Sequence, residues 1–196
     1  MPSRLSILKP VILASASPRR RNLLREIVPD FRVCHPKVDE NIIAGKNLTP
    51  YKYTQILARA KAFNVAARLK QGLVIGADTV VFANGEIIGK PKTSAKARLI
   101  LEKLSGKKHS VITGICIVNA ATRRSISGYA KTTLRMKKLT PQEIKFIISS
   151  SKHYNKAGGY AIQENGDRYI KIINGPLDNA VGLPLHLVKQ LIKRLL

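Results

Sequence analysis

Cysteine is scarce in this chain: Cys34 and Cys116 stand far apart, outside any C-x-x-C or Cys/His spacing. That excludes a disulfide framework and a zinc site, and leaves both as small core residues. Aromatic side chains are scarce too, 5% of residues with no tryptophan, so the platforms on which single-stranded nucleic acid stacks are few. No apolar run approaches the roughly 20 residues that a bilayer-crossing helix needs. Ala14-Ser15-Ala16 looks like a signal-peptidase site, but Lys9-Pro10 cuts the apolar stretch before it to a few residues, so the segment reads as the first strand of a cytoplasmic protein. There is no G-x-x-x-x-G-K-[ST], G-x-G-x-x-G, G-x-S-x-G or H-E-x-x-H pattern, which removes the commonest phosphate-loop, dinucleotide, serine-hydrolase and zinc-protease signatures. His35, His109, His153 and His186 show no metal-ligand spacing.

Acid is the scarcest charge. Eleven Asp and Glu face 35 Lys and Arg, a formal net charge of +24, with an isoelectric point near 10.5. Such a balance fits a basic nucleic-acid-binding protein without catalysis, which stands as the rival reading. Against it, the basic residues are scattered through every segment, with modest clusters at Arg19 to Arg21, Lys137-Lys138 and Lys193-Arg194, as on a solvated surface. The shortage has a second consequence: any acid in an apolar setting stands out.

What is present is enough for a core. At 196 residues and 44% hydrophobic content, without repeats or linkers, the chain reads as one α/β domain over residues 1–196. Strands are expected at Pro10–Ala14, Phe31–His35, Leu73–Phe82, Glu86–Ile88, Ser110–Asn119, Ser125–Met136 and Tyr169–Ile173, with helices at Pro18–Ile27, Pro50 to about Lys70, Ser94–Leu104, Pro141–Ser149 and Pro184–Leu196. Thr49-Pro50 and the capping box Thr140-Pro141-Gln142-Glu143 mark helix starts. Asn84-Gly85 marks a tight hairpin, and Asn165-Gly166 another. Interleaved helices with hairpins require a mixed sheet.

Several places carry chemistry. Ser15-Ala16-Ser17-Pro18-Arg19-Arg20-Arg21 ends a strand and opens a helix, so Ser17 as N-cap would leave backbone N–H groups and the positive helix end beside Arg19 and Arg20, a corner suited to an anion. Cations are disfavoured there by the helix dipole, and a ligand supplies the reason that a plain cap does not. Asp78 interrupts the run Leu73 to Phe82; a carboxylate in such a strand costs several kcal/mol unless paired or metal-bound. Gly76 beside it allows a close backbone approach. Asp39-Glu40 offers a further hard oxygen for Mg²⁺ or Mn²⁺. Lys61, on the flank of an apolar helix face, suits snorkelling as well as phosphate binding. Lys90 is held between Gly89 and Pro91. In Lys156-Ala157-Gly158-Gly159-Tyr160-Ala161-Ile162-Gln163 the glycines permit close approach, and the Gln163 amide can read a base edge.

In order along the chain, these segments, with Lys61-Ala62, Ser105-Gly106, His109, Thr113-Gly114 and Val181-Gly182-Leu183-Pro184-Leu185, resemble the Maf family of nucleoside triphosphate pyrophosphatases from about Ile12 to Leu185. The resemblance implies a curved mixed β-sheet flanked by helices, two lobes around a cleft as in the inosine triphosphatase-like fold, and a homodimer. It implies hydrolysis between the α and β phosphates, giving the monophosphate and pyrophosphate with a divalent metal, Mg or Mn. Carried over, Asp78 is the proton acceptor and, with Glu40, a metal ligand, while Ser15, Arg20, Lys61 and Lys90 grip the phosphates. Arg19, Thr79 and Gln163 match the branch that prefers dTTP and UTP, a preference that would extend to modified pyrimidine triphosphates.

Overall fold

The computed structural model describes residues 10–39, 47–149, 158 and 168–196. Apolar, β-rich segments become strands and capped segments become helices, in the order β1 (Val11–Ala14), α1 (Pro18–Arg25), β2 (Arg32–Val33), α2 (Pro50–Ala66), β3 (Leu73–Ala83), β4 (Glu86–Ile88), α3 (Ser94–Leu104), β5 (Lys108–Asn119), β6 (Ser125–Met136), α4 (Pro141–Ser149), β7 (Ile170–Asn174), α5 (Leu177–Val181) and α6 (Leu185–Leu195). Among the described residues the expected mixed α/β architecture is present as a seven-stranded sheet ordered β2-β1-β3-β5-β6-β7, with β4 paired to β3. β1 runs parallel to β2 and β3, whereas β4 on β3 and β7 on β6 are antiparallel.

Local signals set the element ends. Asn84 and Gly85 both take positive φ, 51° and 77°, as a two-residue hairpin requires, and bring Glu86 opposite Ala83. The Thr140 backbone N–H donates to the Glu143 carboxylate at 2.9 Å while the Glu143 N–H donates to the Thr140 hydroxyl at 3.3 Å, the reciprocal pair of a capping box. Some boundaries differ from the sequence expectation. α1 stops at Arg25, and α2 at Ala66 instead of near Lys70. β2 shrinks to two residues, Arg32 and Val33 in register with Ile12 and Leu13 of β1, with the Cys34 N–H donating to the Leu13 carbonyl at 3.0 Å just beyond. The short α5 has no periodic signal in five residues. Asn165-Gly166 lies outside the described residues.

The chain groups into two compact units: the described residues up to Asp78 with Thr113–Ala130 and Gly182–Leu196, and Thr79–Ile112 with Lys131–Val181. The core of the first includes Ile12, Ala58, Ala62, Ala66, Val74 and Cys116; that of the second includes Leu101, Leu104, Val111, Leu134, Met136 and Ile144.

In the first unit, Thr54, Ala58, Ala62 and Ala66 recur every fourth residue along α2 and are fully buried, one small-residue stripe on one helix face. Opposite them the strands carry glycine. A Cβ on Gly76 of β3 would stand 2.3 Å from the Ala58 carbonyl oxygen, and one on Gly114 of β5 would stand 2.5 Å from that of Thr54. Helix backbone therefore rests directly on strand backbone. The close approach that Gly76 permits is taken by α2, not by a ligand.

Candidate active site

The first turn of α1 builds one cluster. Ser15, at the end of β1, is buried. Its hydroxyl accepts from the Ser17 backbone N–H at 3.1 Å and from the Arg20 guanidinium at 3.4 Å. The Arg20 Nε donates to the Gly182 carbonyl at 2.8 Å, tying the corner to the loop before α6. Ser17 caps α1, accepting from the Arg20 N–H at 3.5 Å. The corner thus gathers Ser15, Ser17 and Arg20, with Arg19 half-buried beside them. The carbonyl and the hydroxyl fix the guanidinium at this corner, and its planar donor fork is of the kind that suits a phosphate or carboxylate.

The second cluster comes from the helix seated on glycine. Side chains two apart on a strand share a face, so Asp78 faces the same way as Gly76, toward α2. There Lys61, adjacent to Ala62, donates from Nζ to the Asp78 Oδ1 at 2.6 Å, with side chains only 10% and 9% exposed. The carboxylate that interrupts the apolar strand is therefore paired, and Lys61 points inward to it instead of snorkelling out. Each residue stands out in the sequence, but their pairing was missed: its one signal is the glycine opposite a small-residue helix face.

The second unit holds the remaining positions. Thr79 follows Asp78 on β3 and is half-buried. Lys90 is exposed in the turn after β4. The Gly89 carbonyl in that turn accepts from the Gly158 N–H at 3.2 Å, so two segments that the sequence singled out separately are joined. Glu40 and Gln163 lie outside the described residues; Asp39, next to Glu40, is exposed.

Other motif members serve the fold. The Ser105 hydroxyl accepts from the Leu139 N–H at 2.8 Å, and Gly106 takes φ 74°. His109 is 3% exposed; burial pushes its imidazolium down to about 4, against a smaller opposite pull from a Lys107 backbone hydrogen bond. Burial likewise raises the Cys116 thiol, which keeps it protonated and inert. The sequence reading passed over Asn179, fully buried on α5, whose amide donates to the Val111 carbonyl at 3.1 Å and the Thr132 hydroxyl at 2.9 Å. No local pattern marks it.

The arrangement supplies fixed cations for an anionic group and one buried carboxylate able to accept a proton, the parts of a phosphoanhydride hydrolase. Residues 10–195 match the family described as Maf-like protein, and the chain belongs to it. Among its relatives, the dTTP/UTP pyrophosphatase of Ruminiclostridium cellulolyticum is 40% identical over 94% of this chain and 95% of its own. That of Elusimicrobium minutum is 42% identical over 93% and 97%, and that of Pyrococcus abyssi 39% identical over 93% and 95%. A solved nucleoside-triphosphatase / dITP/XTP pyrophosphatase from Mycobacterium abscessus overlaps 94% of each chain at 11% identity with a TM-score of 0.43; the fold above rests on this chain's own elements and not on that likeness. Neither the site nor these relatives support the rival reading of a nucleic-acid binder without catalysis.

Proposed function

We propose that this protein hydrolyses dTTP and UTP to the monophosphate and pyrophosphate, and accepts modified pyrimidine triphosphates with the same bases' edges. The observation that carries the reading is the buried Lys61–Asp78 pair, 2.6 Å apart in an otherwise apolar strand, in a chain about 40% identical to dTTP/UTP pyrophosphatases over nearly its whole length. An ionised pair in such a place is weak as a stabiliser, so its retention fits chemistry.

Asp78 is the general base. A carboxylate oxygen takes a proton from water as the water oxygen attacks the α phosphorus; the bond from that phosphorus to the bridging oxygen breaks, and pyrophosphate leaves with the electron pair. Ser15, Arg20, Lys61 and Lys90 hold phosphate oxygens, which orients the chain for in-line attack and spreads its charge over fixed donors. Arg19, Thr79 and Gln163 set the preference for a pyrimidine base.

The proposal includes a divalent metal, Mg²⁺ or Mn²⁺, at the Asp78 carboxylate. Among the described residues no three His, Cys, Asp or Glu side chains gather to hold a metal ion. Mg²⁺ and Mn²⁺ at phosphates do not need such a cage: one or two carboxylates suffice, with phosphate oxygens and water completing the shell. Asp78 and Glu40 would provide them. The chemistry it would supply there is an offset of the charge on the phosphate oxygens and on the leaving pyrophosphate.

The proposal extends to a homodimer in the cytoplasm. No helix among the described residues is long and apolar enough to cross a membrane. The products test the reading: with Mg²⁺ or Mn²⁺, dTTP and UTP yield pyrophosphate and the monophosphate. Release of orthophosphate, or inertness toward every common triphosphate, would sink it.

A further inference from the structure

Lys61 has a second task, and it follows from where its ammonium stands. The Nζ lies 2.6 Å from the Asp78 Oδ1, and both side chains are about nine-tenths buried. That carboxylate is the one the proposed metal would need. Two cations sharing one poorly solvated carboxylate repel strongly. Withdrawal of α2 would relieve this, but the helix backbone is seated on the strands: a mere Cβ on Gly76 would stand 2.3 Å from the Ala58 carbonyl. The part that can move is the four-carbon stem of Lys61, which swings its three donors without any helix shift. A triphosphate offers it an anion to swing to.

We propose that Lys61 is an exchangeable counter-ion for Asp78. It holds the carboxylate while no nucleotide is bound, and moves to a phosphate oxygen when a nucleotide arrives. The free protein therefore takes up a divalent cation poorly, and takes it up well only together with a polyphosphate. This rests on the reading of Asp78 as a metal ligand.

Mn²⁺ binding to the full chain, followed by calorimetry without nucleotide, tests it. Wild type should bind Mn²⁺ weakly, and an α,β-methylene triphosphate that resists hydrolysis should tighten that binding. Lys61→Met should bind Mn²⁺ alone at least about tenfold more tightly than wild type, from the lost repulsion between cations. The Lys61→Met/Asp78→Asn double variant should lose the gain. Lys61→Gln serves if the methionine variant does not fold. Equal or weaker Mn²⁺ affinity in the Lys61 variants overturns the proposal, as does a gain that survives loss of the Asp78 carboxylate. So does wild type that binds Mn²⁺ as tightly alone as with the analogue, a result that needs no variant. Pyrophosphate release by wild type separates the two levels: an active enzyme with an unaltered Lys61→Met affinity refutes the exchange alone.

Discussion

Asp78 is a single carboxylate whose removal acts on two quantities at once. Asp78→Asn keeps the side-chain shape but removes the carboxylate charge that the Lys61 ammonium, 10% exposed, meets at 2.6 Å. Turnover should fall by at least about 100-fold for loss of a general base, and stability should fall by about 3 kcal/mol, as when one member of a buried pair is deleted. Pyrophosphate release and urea unfolding read the two effects, and adding Lys61→Met should recover part of the lost stability, since the residues share one interaction. A folded Asp78→Asn protein with near wild-type turnover would move the base role to Glu40. His109 gives a pH signature of its own. Burial lowers it from 6.5 to about 4, so the folded state favours the neutral ring over the charged one. That contribution is full above pH 6.5 and is lost as pH falls toward 4, by about 3 kcal/mol over the window. In His109→Leu this part of the fall in urea midpoint between pH 6.5 and 4 should be missing; an unchanged slope would show that the imidazole charges without penalty.

At the scale of elements, the seating of α2 on β3 and β5 decides whether the pair forms. Gly114→Ala places a Cβ 2.5 Å from the Thr54 carbonyl oxygen and Gly76→Ala one 2.3 Å from that of Ala58. Backbone cannot yield there as a side chain would, so each should cost about 3 kcal/mol. Gly76→Ala should also reduce activity in the folded fraction, because it lifts the turn that carries Lys61. Gly89→Ala meets nothing within 4 Å and has no positive φ; its stability should stay within about 0.5 kcal/mol of wild type. Comparable urea midpoints for all three variants would contradict the close seating. Element type was readable in advance, because cap and turn signals at Ser17, Thr49, Asn84-Gly85 and Thr140 act within four residues of themselves. The ends of α1 and α2 were less so, since Pro29 stands four residues past Arg25 and Gly72 six past Ala66, so neither marks the last helical residue, and α5 is too short to show a period.

For the whole molecule the net charge of +24 finds a use that needs no nucleic acid. The substrate is a polyanion, and a protein with this excess of cations draws it in over distances comparable with the screening length, about 8 Å at physiological ionic strength. The expected outcome is a kcat/KM for dTTP that falls about 3- to 10-fold between low and physiological salt, with kcat much less affected, because screening slows encounter and not the chemical step. A steady-state series in NaCl at fixed free metal measures it. Equal salt dependence of kcat would locate the effect in the chemistry instead.

The sequence alone determined the mixed α/β class, the order of every element but α5 and the identity of the residues worth suspecting, because such signals are local: a cap, a left-handed turn, one carboxylate in an apolar run. Tertiary structure decided which of them meet. Lys61 and Asp78 are 17 residues apart, Arg20 and Gly182 are 162 apart, and Asn179 reaches Val111 and Thr132 across 68 and 47 residues. The first of these meetings depends on how closely α2 can lie on the sheet, set by the absence of a Cβ on Gly76 and Gly114. No pattern within either segment encodes that distance.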